Sequence, residues 1–254
     1  MSTKHPYLSP AVPRVFAHRG LAIDVGIDEN TFAAFEATVV SGVSYVETDV
    51  QVTSDGVAVL FHDDDLARVA GLAKRIDELT FAELSEVKLT MGGSVPTLEA
   101  ALSNFRTVNF NLDVKVWGAV VPAAEVINRL GAHDRVLVSA FSERRRRAAI
   151  RLLTKPVASS AGSGLVIALY LASRLGLTGV MKTISKNVHA VQVPVRTGPL
   201  RFDSPGFISR VKQVGLEIHF WTINEVSEME RLLKAGADGI VTDRADLAAK
   251  LLEK

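Results

Sequence analysis

A chain of 254 residues, 48% hydrophobic and 22% charged, has the composition of an ordinary water-soluble globular protein and excludes disordered or collagen-like structure. Its 29 Lys and Arg balance 28 Asp and Glu, for a formal charge of +1. No bulk positive field therefore draws it onto nucleic acid or anionic lipid, and any anion it binds is held by a local site. The absence of cysteine removes disulfides, thiolate metal sites, iron–sulfur clusters and a cysteine nucleophile together.

Residues 1–14 carry Pro6, Pro10 and Pro13 among polar and small residues. They hold no apolar stretch long enough for a signal peptide, and the expectation is a cytoplasmic protein. From there on, short β-branched or apolar runs alternate with longer segments of helical periodicity, the pattern of βα units around a parallel sheet. Strands are expected over residues 15–18, 45–52, 57–62, 110–114, 135–140, 156–159, 190–193, 218–222 and 239–242. These are nine segments for an eight-stranded barrel. The connection 53–56 is too short for a helical crossover, so the second and third form a hairpin or one bent element around the Asp55-Gly56 turn.

The helices are punctuated more clearly. Asn30 or Thr31 caps one that turns Phe32, Phe35 and Val39 to the core and ends at Gly42, and Thr97 opens another with Leu98 and Leu102 inward. Ser142-Glu143 start a helix whose Arg144 to Arg147 spread around the axis, as on a solvated helix. The most hydrophobic segment, residues 164–177, is interrupted by Arg174 and falls short of a membrane span. It reads as a buried helix, with a lipid-contacting surface helix as the alternative. A Thr-Asp pair closes two similar stretches, at Thr48-Asp49 and Thr242-Asp243, hinting at repeated βα units. No linker rich in Pro, Gly or Ser divides the chain. The expected architecture is α/β: one domain over residues 1–254, a single (β/α)8 TIM-type barrel with an irregular connection between the second and third strands.

Strands covered on both faces leave little room for charge, yet four segments carry it at their C-terminal ends. His18 and Arg19 follow Val15-Phe16-Ala17. Glu47 and Asp49, two apart, share one face of a strand, as do Asp113 and Lys115, and His62 follows the run from Val57 to Phe61. The C-terminal rim is where βα barrels place their active sites, above an interior packed with aliphatic side chains. Glu47, Asp49 and Asp113 make an oxygen-rich site suited to Mg²⁺ or Ca²⁺. The two imidazoles have the ordinary pKa for proton transfer near neutrality. Arg19 offers a fork matched to phosphate oxygens, and Lys115 a point charge. Together they describe metal-assisted cleavage of a phosphate ester. Taken singly, each residue reads as well as a structural histidine, an edge-strand carboxylate or an ion pair; recurrence on four strands favours the catalytic reading.

The pieces His18-Arg19-Gly20, Glu29-Asn30-Thr31, Glu47-Thr48-Asp49-Val50, Phe61-His62-Asp63, Pro96-Thr97-Leu98-Glu99, Asp113-Val114-Lys115, Ser139-Ala140-Phe141, Trp221-Thr222-Ile223-Asn224 and Gly239-Ile240-Val241-Thr242-Asp243 occur in this order. By them the chain resembles the glycerophosphodiester phosphodiesterases over nearly its whole length. The resemblance implies a β/α barrel that hydrolyses glycerophosphodiesters to an alcohol and glycerol 3-phosphate with a divalent cation, Mg²⁺ or Ca²⁺. It implies His18 and His62 as the acid–base pair, Glu47, Asp49 and Asp113 as metal ligands, and Arg19 and Lys115 as phosphate clamps. Asp113 departs from the Glu carried by many relatives and leaves the choice of metal open.

Around these residues, Glu29 is a candidate to orient Arg19 or a metal-bound water, while capping is the preferred reading of Asn30 and Thr31. Gly20 suits either a backbone close to the phosphate or a loop turn. Phe141 and Trp221 are candidates for an aromatic wall against the glycerol or leaving group. The expected partner is a small glycerophosphodiester, with no nucleic acid and no stable membrane insertion; oligomeric state is not legible. Two alternatives stand beside this reading: a lysophospholipase D-type enzyme acting on lysophospholipids or sphingolipids, and a non-catalytic barrel that binds phosphorylated ligands.

Overall fold

Eight of the β-branched runs become strands that point the same way, and the amphipathic segments between them carry the chain back outside. The computed structural model describes residues 5–253, apart from the side chain of Asp24, so residues 1–4 of the N-terminal stretch lie outside it. The strands are β1 (Arg14–His18), β2 (Tyr45–Val52), β3 (Ala58–Leu60), β4 (Asn109–Val114), β5 (Val136–Ser139), β6 (Ala158–Ser159), β7 (Ala190–Val193), β8 (Arg196–Thr197), β9 (Leu200–Arg201), β10 (Glu217–Phe220) and β11 (Gly239–Thr242). Eight of them pair in parallel in the order β6-β5-β4-β2-β1-β11-β10-β7. A parallel bridge between Ser160 and Ala190 brings the two ends together, and the sheet nearly closes into the expected (β/α)8 barrel.

The ninth expected segment is β3, which folds back antiparallel on β2 with Val50 opposite Leu60 and Val52 opposite Ala58. The short Asp55-Gly56 connection is thus a hairpin turn, with Gly56 at φ +84°, a conformation that favours glycine. The small antiparallel pair β8–β9 was not legible in the sequence. Its strands are two residues long and lack the alternation by which a strand is read.

The helices are α1 (Phe32–Val40), α2 (Ala67–Ala70), α3 (Phe81–Ser85), α4 (Leu98–Asn104), α5 (Val120–Leu130), α6 (Glu143–Arg151), α7 (Ser163–Arg174), α8 (Thr178–Ile184), α9 (Pro205–Gln213), α10 (Val226–Lys234) and α11 (Ala245–Leu252). Thr31 caps α1 by accepting from Ala34 N at 3.3 Å, and Thr97 caps α4 by accepting from Ala100 N at 3.0 Å. The main apolar core lies between helices and sheet, with Phe35, Leu98, Phe110 and Ile127 on one side and Leu169, Phe207, Ile218 and Phe220 on the other.

Three expectations change. The four arginines of α6 are not one solvated set: Arg146 is buried, paired with Glu143 at 2.6 Å and donating to Ser159 Oγ and Asn187 O. The apolar segment forms α7, but only one face is buried; Ile167, Leu171 and Leu175 are exposed. Nor is the barrel interior purely aliphatic. A layer of Phe16, Tyr45, Leu137, Ala158 and Val241 lies over a buried polar plug in which Arg14 donates twice to Glu217 at 2.9 Å, to Tyr45 Oη and to Leu8 O. Space is tight there, for a Cβ on Gly239 would come within 2.9 Å of His219 and Phe16.

Candidate active site

Strand register does the first part of the assembly. Because β1 and β2 run parallel with His18 opposite Glu47, and β2 and β4 with Asp49 opposite Asp113, two polar pairs stack on successive levels of the same rim, two residues apart along β2. The hairpin brings the second imidazole: Phe61 N donates to Asp49 O at 3.0 Å, so β3 ends beside the carboxylates and delivers His62. His18, Arg19, Glu47, Asp49, His62, Asp113 and Lys115 line one cleft of about 440 Å³ at the C-terminal end of the barrel, and Phe141 and Trp221 line it too. Glu29 stands behind the cleft and accepts from Arg19 at 2.9 Å. The sequence-predicted residues are therefore brought together, including the aromatic pair, whose rings meet edge to face at 5.9 Å with Lys115 Nζ 5.6 Å from the Phe141 ring centre.

Each histidine has one ring nitrogen held by a carboxylate. His18 Nδ1 is 2.7 Å from Asp243 Oδ1, and His62 Nδ1 is 2.6 Å from Asp63 Oδ1. An ionised carboxylate can only accept, so each Nδ1 carries the proton in that bond and each Nε2 is left for chemistry. Burial opposes protonation of His18, but the hydrogen bond to Asp243 and the charge of Glu47 outweigh it and raise its pKa. Asp243 is itself fixed by Asn224, whose Nδ2 donates to it at 2.7 Å.

The carboxylates are unequal. Asp49, despite burial, is held low by Lys115 and Arg19; its Oδ1 lies 2.8 Å from Lys115 Nζ, and its Oδ2 accepts from Asn30 Nδ2 at 3.2 Å. Glu47 has burial and the charge of Asp49 against it, and its pKa is pushed up to about 8. Burial also raises Asp113, in spite of Lys115 at 2.9 Å. Glu47 Oε2, Asp113 Oδ1 and Arg19 Nε are buried without a hydrogen-bond partner. Two unpartnered buried carboxylate oxygens and a carboxyl group resisting ionisation mark a site with room for more positive charge.

A hard divalent cation fits that donor chemistry, with one qualification. Among the described residues no three His, Asp or Glu side chains stand in ready ligand geometry, and Lys115 bridges Asp49 and Asp113. Lys115 is held well above its ordinary pKa by these two partners against the effect of burial. It keeps its charge in the site.

One capping assignment is corrected. Asn30 does not cap α1; it adopts φ +56°, accepts from Thr48 Oγ1 at 2.6 Å and holds Asp49. Arg19 adopts φ +56° as well, and the two backbones are tied by Asn30 N donating to Arg19 O at 2.8 Å. Left-handed conformations at non-glycine residues cost about 1–3 kcal/mol and persist where surrounding structure enforces them. Gly20 makes the loop turn that the sequence allowed, and it is also needed for contact with α1: at φ +81°, a Cβ there would lie 2.7 Å from Ala34 Cβ.

Residues the sequence reading left without a role are Asp63, Asp243, Asn224 and Arg68. Arg68, on α2, donates to both Glu29 and Asp63. Glu29 is held low, against burial, by Arg68 and Arg19. A signal for Asp243 was present in the second Thr-Asp strand end, but only closure of the barrel puts β11 beside β1.

Residues 18–247 match the glycerophosphoryl diester phosphodiesterase family. The chain is 41% identical over 236 residues to probable glycerophosphodiester phosphodiesterase 2 of Mycobacterium tuberculosis, covering 93% of this chain and 89% of that protein. It is 26% identical over 255 residues to a glycerophosphodiester phosphodiesterase of Caldanaerobacter subterraneus subsp. tengcongensis, covering 94% and 98%. Its fold is similar to that of an Oleispira antarctica phosphodiesterase solved with the product sn-glycerol-3-phosphate, with a TM-score of 0.78 at 21% identity over 96% of this chain and 98% of the other. By the match of residues 18–247 and the 41% identity over nearly the whole length, the chain belongs to the glycerophosphoryl diester phosphodiesterase family and is an enzyme of that phosphodiester-cleaving class.

Proposed function

We propose that the protein hydrolyses glycerophosphodiesters to an alcohol and glycerol 3-phosphate, with His18 and His62 exchanging the protons and a divalent cation, Mg²⁺ or Ca²⁺, held by Glu47, Asp49 and Asp113. The observation that carries the reading is the pair of imidazoles, each oriented through Nδ1 by its own carboxylate, in the cleft that holds the unsatisfied carboxylates. Bound there, the cation would neutralise phosphoryl oxygens and stabilise charge building at phosphorus.

The chain's own residues account for the rest. Arg19 and Lys115 face the same space with fixed positive charge and counter the phosphodiester anion. Arg19 is oriented by Glu29; Lys115 is kept charged by Asp49 and Asp113. One imidazole accepts the proton of the nucleophile as its oxygen bonds to phosphorus. The other protonates the alkoxide as the phosphorus–oxygen bond to the alcohol breaks, and the two protonation states are restored by exchange with solvent. Phe141 and Trp221 wall the leaving-group side. The non-catalytic reading falls to the family assignment. The lysophospholipase D-type reading is favoured by one feature: beyond the charged end, the cleft is lined by Val166, Ile167, Val193, Leu200 and Phe202, which suits an acyl chain.

The test is a cation-supplemented assay of glycerophosphocholine, glycerophosphoethanolamine and their monoacylated forms, with coupled detection of glycerol 3-phosphate and separate detection of the released alcohol. We expect glycerol 3-phosphate from the deacylated substrates, abolition by a chelator and recovery on adding Mg²⁺ or Ca²⁺. Full turnover in the chelated enzyme would defeat the metal assignment, and exclusive cleavage of the acylated forms would replace the substrate class.

A further inference from the structure

Charge that cancels over the whole chain is segregated within it. From Phe141 to Phe202 the sequence holds eleven Lys and Arg against one acidic residue, Glu143, whereas the chain totals are 29 and 28. That segment is one sector of the barrel: α6, α7, α8 and the β8–β9 pair, around the seam between β6 and β7. Its acid is already taken, since Glu143 pairs with Arg146 and Arg147. Arg144, Arg151, Lys155, Arg174, Lys182 and Lys186 are exposed, and among the described residues none has an ion-pair partner.

The same sector carries an apolar stripe. Ile167, Leu171 and Leu175 recur every fourth residue, so they share one face of α7 and its C-terminal end; they are 46%, 54% and 73% exposed. Leu177 and Val180 extend the exposed apolar surface into α8. Ile167 belongs to two features at once, because it also lines the cleft. Leu200, on the β8–β9 pair, lines the cleft as well, and Arg196 and Arg201 flank it on the exposed side.

We infer that this α6–α8 sector is a docking surface for an anionic lipid bilayer, which sets the mouth of the cleft at the headgroup level. A neutral apolar partner would leave the six unpaired cations without counter-charges, and an acidic soluble partner would leave the leucine stripe in water. Anionic headgroups above acyl chains meet both needs within one sector. The contact is peripheral, as no helix among the described residues is long and apolar enough to cross a membrane. An amphiphilic phosphodiester would then pass from the bilayer along Ile167 into the apolar half of the cleft.

The experiment is flotation with vesicles of phosphatidylcholine alone and of phosphatidylcholine with phosphatidylglycerol, at low and high salt, using the intact chain. Binding is expected on the anionic vesicles, lost at high salt and absent from the zwitterionic ones. Each Lys or Arg near the surface contributes about fivefold to partition, so the double variant Lys182→Glu/Lys186→Glu is expected to reduce binding by about 25-fold or more. Leu171→Ser/Leu175→Ser is expected to reduce it by about tenfold or more. Both pairs are exposed and outside the cleft lining, so melting temperature and turnover of glycerophosphocholine are expected to be unchanged. Equal binding to both vesicle types, no binding to either, or undiminished binding by both variants overturns the proposal. So does a dimer in sedimentation that the leucine variant dissociates, because the stripe then belongs to a second copy of this chain. Flotation is read without turnover, and failure of the proposed reaction leaves it intact.

Discussion

The two ends of the barrel each gather buried charge, and they treat it oppositely. At the N-terminal end, Arg14 spends its donors on both oxygens of Glu217, the hydroxyl of Tyr45 and the carbonyl of Leu8, and His219 adds a contact to Glu217 at 3.1 Å. At the C-terminal end, three carboxylates crowd two fixed cations, and Glu47 Oε2, Asp113 Oδ1 and Arg19 Nε are left without hydrogen-bond partners. A buried ion pair whose donors are matched closes the bottom of the barrel, and breaking it costs stability. A cluster with unmatched oxygens costs stability as it stands and has binding capacity in reserve. Under the proposed reading, one barrel thus uses buried charge for the fold at one end and for chemistry at the other.

That contrast is sharpest in the largest expected effect. Replacing His18 or His62 by Ala is expected to lower kcat/KM by about 10²- to 10⁴-fold each with the melting temperature nearly unchanged. Near-wild-type turnover in either variant would remove that histidine from the mechanism. At the other end the signature reverses. Arg14→Ala leaves Glu217 buried without its main partner and is expected to cost about 3–5 kcal/mol in denaturant unfolding, while the folded fraction keeps its turnover. A variant that stayed as stable but lost activity would break the division between the two ends.

A smaller effect separates positioning from proton transfer. Asp243 raises the pKa of His18 and fixes its ring; Asp243→Asn is expected to lower kcat by about tenfold to hundredfold. The limb of the pH–rate profile that reports His18 is expected to move to lower pH, because the stabilised cation has lost its partner. A fall in kcat with no shift in that limb would mean that Asp243 only orients the ring.

The smallest effect is on stability against pH. Glu47, at about 8, has a folded pKa above its ordinary value, and so has His18. Each group binds more protons folded than unfolded across its window, so each lowers stability as pH rises through it. The metal-free protein is therefore expected to lose melting temperature between about pH 5 and about pH 8, and Mg²⁺ or Ca²⁺ to flatten that slope under the proposed reading. An unchanged slope with cation present would argue against a cation at Glu47.

What could be read from residues alone follows from periodicity and position. Eight parallel strands and the hairpin candidate came from β-branched runs, and His18, Glu47, Asp49, His62 and Asp113 stood out because strands buried on both faces rarely carry charge. The wrong reading at Asn30 has a local cause: Asn before a helix is a common cap, and only its left-handed backbone and the approach of β2 turn its side chain to Thr48 and Asp49. Arg146 was misread because helical spacing gives direction around an axis but not what lies there; β6 and Asn187 fill that side.

The sequence by itself determined the fold class, the charged strand ends and the family, since each is written in local pattern and motif order. Closure of the barrel decided the rest. It joined β11 to β1 and so gave His18 its Asp243, and placed Arg14 beside Glu217 across 203 residues. These pairings join residues far apart in the chain, and no local propensity encodes them; they exist because parallel strands fix register and a closed sheet fixes neighbours.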